Sequence, residues 1–241
     1  MPAAAPSLIP TDLLLLAYRS GIFPMADSRD DPEIFWVEPR ERATFPIDSF
    51  RMARSLRKVV RQGRYRVTCN TAFADVVAAC AAPRPDHPDS WINHRIAASY
   101  VALHDIGHAH SVECWDGDTL IGGLYGVSFD RVFCGESMFS RADNASKVAL
   151  VWLIALLKHA GYAVLDCQFM TAHLASLGAV VMSQQDYCAH IAKASGPAAM
   201  SLHEAYVSLL SGGGAAGSGA EDAGGDASPG KLIAHSLTHT S

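Results

Sequence analysis

Residues 145–160 constrain this chain more than any other stretch. From Val148 to Leu157 every residue is apolar, and Gly161 stands where a helix would stop. A helix that is apolar on every face must be covered on every side. The material to cover it lies nearby. Ser111–Trp115 alternates like a strand, Asp116-Gly117-Asp118 is a hairpin turn, and Thr119–Phe129 is a second strand. A further turn at Asp130-Arg131 leads to a third strand beginning at Val132, and 162–167 and 180–182 are again extended. Asp143 or Asn144 is expected to cap the helix. A strand meander, one engulfed helix and more strand predict an α+β fold with a mixed, largely antiparallel sheet.

The first half of the chain reads as shorter pieces. A leucine-rich helix is expected over 11–20, capped by Thr11 or Asp12 and ended by Gly21. Short strands fit 35–37 and 44–46. A helix over 50–61 puts Met52, Leu56, Val59 and Val60 on one face, and a strand follows over 64–69. Helices are expected over 72–80, capped by Thr71, and over 96–106, 173–177 and 187–193. Residues 211–230 are rich in Gly, Ala and Ser and read as a flexible linker, and the terminal Lys231–Ser241 is mildly apolar and can dock back.

With 49% hydrophobic and 18% charged residues, the chain can build a core. No segment approaches the ~20 apolar residues of a membrane helix, and Leu13–Tyr18 lacks the flanks of a signal peptide, so a cytoplasmic protein is expected. The 6 cysteines form no Cys-x-x-Cys pair and read as reduced core thiols. His108 and His110 alternate as on one face of a strand, and read as a strand entry rather than a metal site.

A net charge of −5 argues against nucleic acid, but the distribution argues for it. Residues 51–66 hold 7 of the chain's 19 Lys and Arg and no acid. On a helix with one apolar face, Arg51, Arg54, Arg57, Lys58 and Arg61 form a stripe able to follow phosphates.

Several segments resemble one family. They are Leu16 to Met25, ending Gly-Ile-Phe-Pro-Met; the basic Ser55–Lys58; Trp91-Ile92; and Gly107–Glu113. The best match runs through Gly122–Val127, Phe133–Ser140 and Asn144–Lys147, then Asp166-Cys167-Gln168, His173 and Ser176–Ala179. In number, order and spacing these are similar to the leucyl/phenylalanyl-tRNA–protein transferase family, over about residues 11–191. The resemblance implies a small N-terminal domain (1–64, with the basic helix) and a GCN5-related N-acetyltransferase-like catalytic domain (65–195). Residues 196–241 would be a flexible tail. It implies transfer of Leu or Phe, with Met as a further donor, from charged tRNA to proteins beginning with Arg or Lys. It places that reaction in a bacterial N-degron pathway. No cofactor and no metal are implied, and a monomer is expected. Two positions depart from the family pattern. Trp36 is followed by Val37-Glu38-Pro39 instead of a second Trp and Ser-Pro, and Thr171 stands where some members carry Asn.

The residues suit such chemistry. Ester aminolysis by an α-amine of pKa ~7.7–8.0 needs alignment and charge stabilisation more than a strong base. Asp166 and Gln168, two apart on an expected strand, would point the same way and hold the acceptor amine. Gln cannot titrate, so proton transfer would fall to Asp166 or a tRNA ribose hydroxyl. Glu136, after Gly135 where a bulge is permitted, would bind the cationic side chain of the acceptor. Met138, Leu124, Phe133, Leu153, Leu157 and Leu165 would line an adaptable donor pocket. Trp36 and Trp91 would stack on the terminal adenine. Two rivals are an acyl-CoA-dependent N-acyltransferase and a non-catalytic RNA-binding module. The first would want a glycine-rich loop before the apolar helix, and 140–147 has no Gly.

Overall fold

The computed structural model describes residues 7–83, 89–211 and 229–237. In chain order the first half holds α1 (Thr11–Arg19), β1 (Phe23–Met25), β2 (Phe35–Val37), β3 (Glu41–Phe45), α2 (Arg54–Arg61), β4 (Arg66–Cys69), α3 (Phe73–Ala81) and α4 (His94–Asp105). Then come β5 (Ala109–Asp116), β6 (Thr119–Phe129), β7 (Val132–Ser140), α5 (Ala145–Ala160), β8 (Val164–Asp166), α6 (Ala172–Ser176), β9 (Val180–Ser183), α7 (Gln184–Lys193), α8 (Leu202–Ser211) and α9 (Pro229–Ser236).

Seven strands form one sheet in the order β4-β5-β6-β7-β8-β3-β9. The two expected hairpins supply β5, β6 and β7, each antiparallel to the next. A strand that leaves β7 and enters β8 through α5 returns in the same direction, so β7 and β8 are the parallel pair of an otherwise antiparallel sheet. Thirteen of the 16 residues of α5 are buried; the exceptions are Lys147, Lys158 and His159. Strands β5, β6 and β7 cover one side, and α2, α8 and α9 cover others.

Gly122 is where sheet and helix come closest. A Cβ there would stand 2.5 Å from that of Ala145. Gly161 has φ +77° and ends α5, and Gly21 with φ +74° ends α1, both as the sequence suggests.

The N-caps hold only in part. Pro10, not Thr11 or Asp12, is the N-cap of α1. Thr71 lies one residue too early for α3; its own amide and that of Ala72 instead donate to the buried Glu113 carboxylate, at 3.2 and 3.4 Å. Asn144 stands at the N-cap of α5 as expected, but its side chain makes no capping bond; Ser140 Oγ accepts from the Ser146 amide at 3.2 Å instead.

Two boundaries also move. β3 is an interior strand of the large sheet, so the division expected at residue 64 does not separate two sheets. Within the expected 196–241 tail, the described residues include two helices, α8 and α9. α8 and α9 pack on the core through Leu202, Ala205, Ile233 and Ala234. Most of the expected 211–230 linker lies outside the described residues.

Gly122→Ala is expected to lower unfolding free energy by about 1–3 kcal/mol, the usual range for overpacking. A shifted denaturant midpoint at unchanged slope would show it; a shift under about 0.5 kcal/mol would mean that the sheet and α5 part readily.

Candidate active site

One arginine gathers four segments. Arg42 on β3 is buried, with its guanidinium Nη1 2.9 Å from Asp166 Oδ2 at the end of β8. Its Nη2 donates to the Gly21 carbonyl after α1, and its Nε to Gln184 Oε1 on α7 at 3.2 Å. The guanidinium plane lies over the rings of Tyr187 and Phe23, at 4.4 and 5.0 Å. The Tyr187 hydroxyl donates to the same Asp166 oxygen at 3.2 Å.

Asp166 then fixes Gln168, though not by strand alternation. β8 ends at Asp166, and Gln168 has φ +56°, a left-handed backbone that few non-glycine residues adopt. Asp166 Oδ1 accepts the Gln168 amide N–H at 2.9 Å, and the Gln168 carbonyl accepts from Ala43 on β3 at 2.9 Å. These two bonds hold the turn. The Gln168 side chain is thereby aimed away from Asp166, and its Nε2 donates to Glu136 Oε1 at 2.8 Å.

Glu136 owes its position to a β-bulge. Tyr125 faces Ser137 and Gly126 faces Gly135, so Glu136 is the extra residue on β7. The crowding explains Gly126, where a side chain would run into the Cys134 carbonyl and the Phe133 ring. The second oxygen of Glu136 accepts from the Tyr100 hydroxyl at 2.9 Å, and Tyr100 shares a hydrogen bond with Tyr18 at 2.8 Å.

Burial pushes the Glu136 carboxyl up to about 8, opposed by the hydroxyls of Tyr100 and Tyr18, while the Asp166 charge adds to the rise. Burial also raises Asp166, with Arg42 as the main opposing pull. The same burial, with Glu136 next in order, lifts both Tyr18 and Tyr100 well above the usual phenol range. Burial therefore favours the protonated form of Glu136, against the hydrogen bonds its two oxygens accept from Gln168 and Tyr100.

Glu136 and Gln168 form one wall of a cavity of about 370 Å³, within the range of small-molecule sites. Leu124, Met138, Leu153 and Leu165 line it, as the sequence suggests. Phe133 and Leu157 do not: both are fully buried in the core behind it. Leu157 is one turn further along α5 than Leu153, which carries it past the hollow. Trp91 is at the cavity; Trp36, on β2, is exposed and not part of its lining. Asp166 is wholly buried and does not reach the cavity. Thr171 reaches it, but its hydroxyl already caps α6 by accepting from Leu174 at 3.1 Å.

The sequence reading missed Arg42, Tyr18 and Tyr100. Arg42 looks no different from Arg40 in sequence. Tyr18 had a signal, since it lies inside the N-terminal motif.

The basic stripe is present on α2. Arg54, Lys58 and Arg61 are exposed and Arg57 is half-buried, above an apolar face of Leu56 and Val60. Arg51 lies before the helix and is exposed. Histidines 108 and 110 do not share a site. His108 precedes β5 and bonds the Ser128 carbonyl; His110 is buried, pushed down to about 4 chiefly by that burial, and pairs with Asn70. Among the described residues no group of three or more His, Cys, Asp or Glu could hold a metal, and no helix is long and apolar enough to cross a membrane.

The N-terminus of α5 is packed against the sheet. Ala145 and Ser146 are buried there, Ala145 against Gly122. Residues 44–192 match the family model described as leucyl/phenylalanyl-tRNA protein transferase, and residues 9–40 match that of its N-terminal domain. A leucyl/phenylalanyl-tRNA–protein transferase of Novosphingobium aromaticivorans is 53% identical, with 100% of both chains covered. One from Rhizorhabdus wittichii is 56% identical over 75% of this chain and 73% of its own. One from Zymomonas mobilis is 53% identical over 75% and 68%. The chain belongs to the leucyl/phenylalanyl-tRNA–protein transferase family.

A carboxyl raised on folding binds a proton that the unfolded chain releases near pH 4.5. That contribution to stability is complete below about pH 4.5 and is lost as pH rises through about 8. Glu136→Gln is expected to flatten this decline when denaturant midpoints are compared from pH 5 to pH 8. An equally steep decline in the variant would assign it to another group.

Proposed function

We propose that this protein transfers leucine or phenylalanine, with methionine as a further donor, from charged tRNA to the N-terminal Arg or Lys of acceptor proteins. In this reading it marks them for N-degron proteolysis in the cytoplasm, as a monomer and without a cofactor. The observation that carries the reading is the contact between the apolar cavity and the Glu136–Gln168 pair.

The donor side chain occupies the hollow between Leu124, Met138, Leu153 and Leu165, where the flexible thioether of Met138 adapts to a branched or an aromatic guest. Trp91 is available to stack on the terminal adenine. The neutral acceptor amine attacks the ester carbonyl carbon. A C–N bond forms, the C–O bond to the ribose breaks, and the proton shed by the amine passes to the leaving ribose oxygen. Gln168 donates its Nε2 to Glu136, which leaves its amide oxygen to accept from the incoming amine. Asp166 acts through the Gln168 backbone. A cationic Arg or Lys side chain near Glu136 favours the ionised carboxylate, so acceptor binding lowers the proton affinity of Glu136. The basic face of α2 lies against tRNA phosphates. The mixed sheet, with its parallel β7–β8 step beside the cavity, accords with a GCN5-related N-acetyltransferase-like catalytic unit.

Incubating the protein with labelled Leu-tRNA or Phe-tRNA and peptides beginning with Arg, Lys or Ala tests the reading. Label is expected on the first two only, and Gln168→Ala is expected to slow transfer by about 10²-fold or more. Equal labelling of the Ala peptide, or no labelling at all, would overturn it.

A further inference from the structure

The cations of α2 do not stand alone. α9, which lies beyond the matched family segment ending at residue 192, crosses directly over α2. The two helices touch backbone to backbone. Gly230 is buried, and a methyl group there would drive into the Val60 carbonyl. Ile233, Ala234 and Leu237 anchor α9 in the same core as Leu56 and Val60. That anchoring turns the exposed Lys231 toward the basic face, and two adjoining grooves are lined jointly by Arg57, Arg61 and Lys231.

Among the described residues, neither groove has an acid in its lining. Among the described residues no ion pair involves Arg54, Arg57, Lys58, Arg61 or Lys231. Arg57 Nε is buried without a hydrogen-bond partner. A buried N–H left unmatched is costly, and like charges brought together repel. Both costs are offset when an anion enters between the helices.

We propose that α9 forms the second wall of the tRNA groove, with Lys231 and Arg57 holding a backbone phosphate between them. The ligand class is an RNA phosphodiester. The inference rests on the reading of α2 as the tRNA-facing helix and adds to it a part played by the C-terminal segment.

Binding of uncharged leucine tRNA to the full chain, measured from 50 to 200 mM salt, tests both levels. Lys231→Ala is expected to weaken binding about threefold at the upper salt and to reduce the slope of log K against log salt by about 0.9. Gly230→Val removes no charge but displaces α9, and is expected to give the same loss. The double variant is expected to be no weaker than the weaker single one. Should Gly230→Val fail to fold, Lys231→Ala, at an exposed position, still decides. If Arg54→Ala with Arg61→Ala weakens binding while Lys231→Ala binds like the parent, the part assigned to α9 is wrong and the α2 reading stands. If none of the variants changes affinity or slope, both fail.

Discussion

The buried ion pair between Arg42 and Asp166 is the constraint on which the site depends. Both side chains are almost wholly removed from water, at 2% and 1% exposure. Two such charges carry a desolvation penalty of several kcal/mol each, and mutual attraction offsets it only when other hydrogen bonds complete the shell. Here the shell comes from the whole molecule: the Gly21 carbonyl from the N-terminal unit, Gln184 and Tyr187 from α7, and the Gln168 amide. The small two-stranded sheet of β1 and β2 is thus tied to the seven-stranded sheet through the Arg42 guanidinium over Phe23 as well as apolar packing. The pair also has a direction. Arg42 orients Asp166, Asp166 holds Gln168 in a left-handed turn, and Gln168 reaches Glu136.

Two irregularities in the sheet turn that chain of contacts into a pocket. The bulge on β7 presents Glu136 where an unbroken ladder would have paired it. β8 stops after three residues, so that Gln168 leaves the sheet just beside the bulge. Between them lie side chains of α5 and β6, and the hollow is apolar because Leu150 and Leu153, from the uninterrupted apolar run of α5, floor it. The feature that dictates the core therefore also supplies the donor pocket of the proposed reaction. Burial beside this apolar floor holds the Glu136 carboxyl above the usual carboxylate range.

Much of this was legible in the sequence, and the misses have physical causes. α5, the two hairpins and their order follow from local pattern: an all-round apolar run and turn residues at fixed offsets. Gly135–Glu136 as a bulge was legible because glycine permits one. Gln168 was placed beside Asp166 by assuming that alternation continued; a tertiary bond from Asp166 Oδ1 overrides it. Arg42 could not be told from Arg40, since only the distant Asp166 distinguishes them. Phe133 and Leu157 share the composition of pocket residues but not their depth, which depends on how α5 is rotated against the sheet. α9 was hidden because eight residues past a glycine-rich stretch form a helix only when a partner, here α2, buries one face.

The claim that the ion pair acts by setting Gln168, without itself touching substrate, is tested most directly by steady-state kinetics of Asp166→Asn. The amide keeps the shape and can still accept from Gln168, but loses the charge that Arg42 holds. We predict that kcat falls by about 10²-fold while the donor KM stays within about twofold, the mark of lost alignment in the transition state. A variant with unchanged kcat, or one whose only defect is a raised KM, would contradict it.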